Sequence, residues 1–267
     1  RALGDLFQAV DEWCGLFVLE PRLIDVPSVS QKRLSFLFEC LEDLSDDLDK
    51  VRNRLVIVEG PAETEIPRLM HKLSASVLSF NEGTTPFARS RGRSVVCSVK
   101  KAGHRVLQRR DHVIFAATDI RSSKGSAYSV YTPYRKAWWK KYSQSDHSDL
   151  APSKRPSPIA DLGSVSTPQL LINLKRHLDK PAFQGGHQAA HDRLNQFLNK
   201  SVAHYHQNRD RPDLDGTSRL SMHLRFGTIS VRECFKQAME ATHADPSYES
   251  GVQQWLDELI WREFYNA

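Results

Sequence analysis

The chain has 267 residues, 40% of them hydrophobic and 26% charged, with a net charge of +5 and a pI near 9.0. That length suits one large domain or two smaller ones, and the longest apolar runs are far too short to span a bilayer. Arg1 opens no signal-peptide pattern. The four cysteines (Cys14, Cys40, Cys97, Cys234) are scattered with no CxxC, which argues against a disulfide frame or zinc site and for reduced core thiols in a cytoplasmic protein.

Charge is unevenly spread. Residues 1–80 carry 9 Lys/Arg against 14 Asp/Glu, residues 81–160 carry 16 against 5, and residues 181–267 carry 9 against 11. A basic block of that size hints at nucleic acid. It lies outside the segment with the motifs described below, so bulk charge does not locate a binding face.

In chain order, residues 1–142 alternate between strand and helix patterns. Residues 15–21 form an apolar strand that ends at Pro21, and residues 31–49 follow helical spacing through Leu34, Leu37, Phe38, Leu41, Leu44 and Leu48. A second strand, 55–61, stops at Gly60-Pro61; a helix around 63–74 and a strand at 77–80 follow. This alternation predicts an α/β domain with a doubly wound, mostly parallel sheet over 1–142. Residues 143–168, rich in Ser and Pro, read as a linker. From 169 to 267 the period is helical. Leu194, Phe197, Leu198 and Tyr205 share one stripe after Gly185-Gly186, and Ser230-Val231-Arg232-Glu233 reads as a capping box with Ile229 and Cys234 as its hydrophobic staple.

Three stretches of this half carry candidate chemistry. After an Asp215-Gly216 turn, Thr217-Ser218-Arg219-Leu220-Ser221 gathers three hydroxyls and a guanidinium, a donor set that suits a pyrophosphate, although Ser/Thr-rich turns also serve as ordinary caps. On the last helix, Trp255, Glu258, Trp261, Arg262 and Tyr265 fall within an arc of roughly 120°. Taken alone that face also reads as a core stripe with a Glu258–Arg262 i,i+4 pair. Tyr205 and Arg209 lie one turn apart; by themselves they read as a core tyrosine and a solvated arginine.

Tyr205, Arg209, Thr217-Ser218-Arg219-Leu220-Ser221, Leu224, Phe226-Gly227 and the run Trp255–Tyr265 together resemble the flavin-binding half of the DNA photolyase/cryptochrome family. Arg33, Gly60-Pro61 and Tyr131-Thr132-Pro133-Tyr134 resemble landmarks of its amino-terminal antenna domain. The form of the Thr-Ser-Arg-Leu-Ser run is similar to bacterial cyclobutane pyrimidine dimer photolyases. The resemblance implies FAD held by Tyr205, Thr217, Ser218, Arg219, Leu220 and Ser221, with Trp255 and Arg262 lining the cavity between flavin and DNA. It implies catalytic roles for Trp261, stacked on the damaged pyrimidines, and Glu258, bonded to a thymine ring. DNA contacts would come from Arg209, Glu258, Trp261, Arg262 and Tyr265. The implied activity is light-driven dimer repair by a monomeric, non-membrane enzyme acting on DNA that contains pyrimidine dimers. No metal is expected.

Several features depart from the family pattern. Arg89-Ser90-Arg91-Gly92-Arg93-Ser94 stands where an Arg-Asp pair usually opens a helix, and no residue, Asn81 and Glu82 included, is assigned to an antenna pigment (methenyltetrahydrofolate or deazaflavin). Met222 and His223 replace a Pro and an aromatic; His223 reads as a structural or exposed histidine. Against the family, the first strand of the α/β domain and a long helical remainder after Ala267 are expected to be missing. The fragment itself is therefore expected to hold FAD weakly and to be inactive. Two other classes remain open: a cryptochrome-type photoreceptor, and, for 1–142 alone, a nucleotide-binding protein of the universal-stress or electron-transfer-flavoprotein kind.

Overall fold

The computed structural model describes residues 2–24, 29–116, 118–145, 155–159, 181 and 183–266. They divide into two units, residues 1–111 with 150–186 and residues 112–149 with 187–267.

The first unit is built on short parallel strand pairs. β1 (Glu12–Trp13) is followed by β2 (Gly15–Leu19), β3 (Leu55–Glu59), β4 (Val77–Asn81), β5 (Arg105–Arg109) and β6 (Ser157–Pro158). β2 pairs with β3, Gly15 opposite Leu55 and Leu19 opposite Glu59; β4 pairs with β5, Val77 opposite Arg105. Parallel neighbours need a crossover. α1 (Ala2–Ala9) and the single turn α2 (Pro21–Ile24) precede the helix that links the first pair, α3 (Gln31–Lys50). After α4 (Ala62–Lys72), α5 (Pro86–Lys101) links the second.

Successive side chains of a strand point to opposite faces, and here both faces are apolar. Phe17, Leu19 and Ile57 meet Leu34, Phe38 and Leu41 of α3. Leu16 and Val18 turn the other way, toward Ile66 and Met70 of α4. Helices on both faces are what the alternation predicts. The single doubly wound sheet is not what forms: among the described residues there are three separate two-stranded pairs, and no described strand bridges them.

Most of the Ser/Pro-rich stretch 143–168 lies outside the described residues. Ser157 and Pro158, however, pair in parallel with Glu12 and Trp13. Further on, Gly185 sits where a Cβ would come within 2.7 Å of Glu39 Cβ and 2.9 Å of the Phe36 carbonyl oxygen. Its N–H donates to Glu39 (2.7 Å), so the chain closes directly onto α3.

The second unit is helical: α6 (Tyr131–Ser143), α7 (His187–Lys200), a 3-10 turn (Val202–His204), α8 (Tyr205–Asn208), α9 (Ser221–Phe226), α10 (Val231–Ala244) and α11 (Glu249–Phe264). Its core joins Trp138 of α6, Leu194 and Phe197 of α7, Leu220, Phe235 of α10, and Leu256 and Ile260 of α11. By their contacts, residues 112–142 group with these helices. The cause is α6, whose aromatic face is buried on α11 and whose Arg135 pairs with Asp257 at 2.7 Å.

Ser230 caps α10, its hydroxyl accepting from the Arg232 N–H (3.1 Å), with Ile229 and Cys234 both buried. The reciprocal half of the expected capping box is replaced: the Glu233 carboxylate accepts from Gln237 Nε2 at 2.6 Å, one turn further on. Of the four thiols, Cys40 and Cys234 are buried and Cys14 is half-buried. Burial pushes the Cys234 thiol up to about 12. Cys97 is exposed, against expectation, because it lies on the face of α5 opposite Val95 and Val99.

Candidate functional site

α11 carries Trp255, Glu258, Trp261 and Arg262, with Tyr265 just past its end, and its two ends sit in different surroundings. Near its start, Trp255 is in the core, its ring centroid 5.0 Å from Phe197. Phe197 meets Tyr205 edge-on at 5.6 Å, so one α7 ring joins two of the predicted flavin contacts. One turn on, Glu258 accepts from the Arg209 guanidinium and from Gln254 Nε2 (3.4 Å). Arg209 also reaches Asp210 at 3.5 Å. Burial, with the Glu258 charge adding, pushes the Tyr205 phenol above its ordinary range. Tyr205, Arg209, Trp255 and Glu258 are thus brought together across some fifty residues of sequence.

At the other end, Trp261 lies flat on Tyr131, ring centroids 3.6 Å apart and planes 12° from parallel. Tyr265 stacks on the indole more loosely, at 5.5 Å and 23°, and is itself exposed beyond the end of the helix. The Tyr131 hydroxyl donates to the Asp257 carbonyl (2.8 Å), which fixes its ring under Trp261. The Glu258–Arg262 pair read from i,i+4 spacing is not the arrangement found. Glu258 turns to Arg209, and the Arg262 guanidinium donates to the His112 carbonyl.

The hydroxyl-rich strap 215–221 is held from behind by a residue the sequence reading passed over. Arg193 of α7 donates from Nε to the Ser218 carbonyl (2.9 Å) and from Nη2 to the Thr217 carbonyl (2.7 Å), and pairs with Asp215 at 3.0 Å. Gly216 allows the turn: a Cβ there would come within 2.7 Å of Asn208 Cβ and 3.1 Å of its carbonyl oxygen. Leu220 anchors the strap in the core. Arg219 takes a left-handed backbone, φ +51°, and its Nε pairs with Asp215 at 2.9 Å. Asp215 is thus shared by two guanidiniums and offsets only one of their charges, whereas the Thr217, Ser218 and Ser221 hydroxyls make no hydrogen bond among the described residues. Three such hydroxyls on a fixed strap fit the phosphate and ribityl oxygens of a flavin nucleotide. Replacing Arg193 with Met should leave the Thr217 and Ser218 carbonyls without their charged donor. The expected loss is roughly 2–4 kcal/mol in urea unfolding, with faster proteolysis of the strap.

Two further carboxylates of α11 were not singled out by the sequence reading. Asp257, largely buried, accepts from Arg135 Nε (2.7 Å), Trp139 Nε1 (3.2 Å) and Gln253 Nε2 (3.2 Å). Glu263, 3% exposed, accepts from the backbone N–H groups of Ile114 and Phe115 and from the Trp138 indole N–H. Burial pushes its carboxyl up to about 7 against the stabilising effect of those donors. His223 is buried, with Nδ1 and the Thr228 hydroxyl 2.8 Å apart, and burial lowers its pKa; that environment is structural.

Solved structures that share this fold include photolyases and a cryptochrome. The chain overlays the cryptochrome of Synechocystis sp. PCC6803 with a TM-score of 0.83 at 18% identity, covering 99% of this chain and 57% of that one. It overlays the photolyase of Sulfolobus tokodaii, described with two FAD molecules, with a TM-score of 0.72 at 24% identity, covering 99% and 55%. By sequence it is 31% identical to the deoxyribodipyrimidine photo-lyase of Synechococcus sp. (strain PCC 6301) over 265 residues, 94% of this chain and 53% of the relative. Residues 1–157 match the DNA photolyase family model. The chain belongs to the DNA photolyase family, and it spans about half the length of the curated photo-lyases it matches. No helix among the described residues is long and apolar enough to cross a membrane.

Proposed function

We propose that the protein to which this chain belongs repairs cyclobutane pyrimidine dimers in DNA under light, with reduced FAD as electron donor and this helical unit supplying part of the site. The observation that carries the reading is the convergence of Tyr205, Arg209, Trp255 and Glu258, linked through Phe197 and the Arg209–Glu258 ion pair. When bound, the flavin would supply the single electron that opens the dimer. Thr217, Ser218 and Ser221 would hold its phosphate and ribityl oxygens, the Arg219–Leu220 backbone would complete the strap, and Tyr205, Trp255 and Arg262 would border the ring.

The remaining residues act on the lesion. A dimer turned out of the duplex loses its stacking partners, and an indole face such as that of Trp261 returns ~1–3 kcal/mol per base. Glu258 suits a thymine imide N–H, as a charge-assisted acceptor that strengthens as water leaves. Arg209 occupies that carboxylate in the DNA-free chain and, on lesion binding, would turn to a backbone phosphate, which positions without reading sequence. Tyr265, exposed at the helix end and loosely stacked on Trp261, would join the same contact.

The test is binding and blue-light repair of a dimer-containing duplex by the complete coding product. Trp261→Ala should lower the preference for dimer over undamaged DNA by about 10-fold or more, as the stacking energy requires. Repair that proceeds unchanged in W261A and E258A together would sink the assignment. A cryptochrome-type photoreceptor is the second reading, favoured by the overlay at TM-score 0.83. It predicts flavin photochemistry with no restoration of dimers.

A further inference from the structure

We infer that the α/β unit carries its own nucleic-acid surface, the outward face of α5, which grips the phosphate backbone of duplex DNA whether or not it is damaged. Between Glu82 and Asp111 the chain contains no acidic residue, while eight Lys/Arg fall there. Two are used internally: Arg109 pairs with Asp5 (2.5 Å) and Arg110 with Glu82 (2.8 Å). A third, Arg91, lies over the Phe87 ring at 5.8 Å. Arg89, Arg93, Lys100, Lys101 and Arg105 are all exposed and form no ion pair among the described residues.

Helix geometry puts four of these on one surface. At ~100° per residue, Arg89, Lys100, Arg93 and Lys101 span an arc of roughly 120°, turned away from the buried Val95 and Val99. The other side chains within that arc are Pro86, Ser90 and Cys97, all exposed and all small, so nothing bulky keeps a phosphate backbone from the cations. From Arg89 to Lys100 is about 16 Å along the axis, close to the rise of five base pairs at ~3.4 Å each.

Helix stability accounts for Lys100 and Lys101, which sit in the last turn and suit the helix dipole, but not for Arg89 and Arg93. The first turn of α5 has no acid, and Arg89 there opposes the helix dipole. Arg89 and Arg93 are like charges at i,i+4, which repel. A local rule broken without internal compensation marks a binding role. The same unit concentrates Glu39, Glu42, Asp43, Asp46, Asp47 and Asp49 on α3, and those acids repel a phosphate backbone, leaving α5 as its favoured face. None of this depends on the repair reading of the helical unit.

The experiment is fluorescence anisotropy of the 267-residue chain with an undamaged 20-base-pair duplex between 50 and 200 mM salt. R89E/R93E and K100E/K101E should each weaken binding at least 10-fold at the lowest salt. Each should also reduce the slope of log affinity on log salt by about 2, at ~0.9 per lost phosphate contact. K32E/R54E, an equal charge change elsewhere in the unit, should do neither. The neutral pair R89Q/R93Q and far-UV circular dichroism separate lost binding from lost folding. As a second readout, the duplex should slow alkylation of Cys97 several-fold and leave Cys14 unaffected. The inference is overturned by a slope equal to that of K32E/R54E, or by polyglutamate bound as tightly as DNA and lost in the same variants. Self-association abolished by these substitutions with DNA affinity unchanged would overturn it too. Preference for dimer-containing over undamaged duplex should stay constant in the α5 variants, whereas failure of the repair reading would show in that preference alone.

Discussion

Gly251→Ala is expected to destabilise the helical unit by roughly 3 kcal/mol or more, the upper part of the range for forced overpacking. A Cβ at Gly251 would stand 1.7 Å from the Val202 carbonyl oxygen, 2.8 Å from its carbon and 3.2 Å from the Ala203 oxygen. These are backbone atoms of the 3-10 turn that precedes α8, so no side chain can swing aside. Relief requires α11 to move bodily away from that turn, and such a shift would pull Trp255 off Phe197 and Glu258 off Arg209. Helix propensity alone would favour alanine by up to ~1 kcal/mol, so the sign of the effect separates close approach from intrinsic preference. Gly4→Ala in α1 is the matched control. A Cβ there meets nothing within 4 Å, and the substitution should be neutral or stabilising by about 0.5–1 kcal/mol. Urea unfolding of both variants, with near-UV circular dichroism for the Trp255 environment, checks the pair; equal effects at the two sites would refute the close-approach account.

Glu263 is the second large lever, and it acts through pH. The buried carboxyl has its folded-state pKa raised from an ordinary 4.5 to about 7, chiefly by burial. The folded state therefore holds a proton that the unfolded state has released over that interval, and stability falls as pH rises through it. The contribution is fully present below about pH 4.5 and lost as pH passes 7; a shift of this size corresponds to roughly 3 kcal/mol. Glu263→Gln should remove this slope. Its amide must turn an N–H toward Trp138 or toward the Ile114 and Phe115 N–H groups, so its stability should be lower at acid pH and nearly level toward pH 8. Glu263→Ala strands three donors in the core and should cost roughly 3–5 kcal/mol at acid pH, a cost that shrinks by up to ~3 kcal/mol as pH passes 7, because the wild-type chain loses that contribution while the variant does not. Unfolding curves from pH 4.5 to 8 read both effects, and a slope that persists in E263Q would assign the titration to another group.

Legibility followed the range of the interactions. β2, β3 and the hydrophobic faces of α3 and α4 were readable because a strand or helix declares its buried side in its own periodicity. β5 escaped notice because Arg105 and Arg109 bracket only three intervening residues, Val106-Leu107-Gln108, and β6 because a Ser-Pro pair carries no strand signal. α6 packs into the helical core. Its run of Tyr134, Trp138, Trp139 and Tyr142 announces burial without saying against what, and the partners that decide it, Asp257 and Glu263, lie about 120 residues away.

The candidate site divides in the same way. The residues themselves, Tyr205, Arg209, Trp255, Glu258 and Trp261, could be named from one chain because their order and spacing resemble a family pattern. Their pairing could not. Glu258 has Arg262 one helical turn away yet takes Arg209, because Arg262 is drawn to the His112 carbonyl and the 3-10 turn at 202–204 carries α8 against α11. Nor could the support under the site be read: Arg193 beneath the strap has no local mark that separates it from any other arginine, and Tyr131, marked only as part of a family landmark, gives no sign that it lies under Trp261.

By itself the sequence determined the element types, the basic stretch between Glu82 and Asp111, and the family kinship, since all three are written in local composition and spacing. Only the tertiary structure decided which charges cancel, which aromatic faces are covered and which unit owns α6. Those outcomes depend on side chains far apart in the chain competing for the same partner, and the competition is settled only when the backbone has closed.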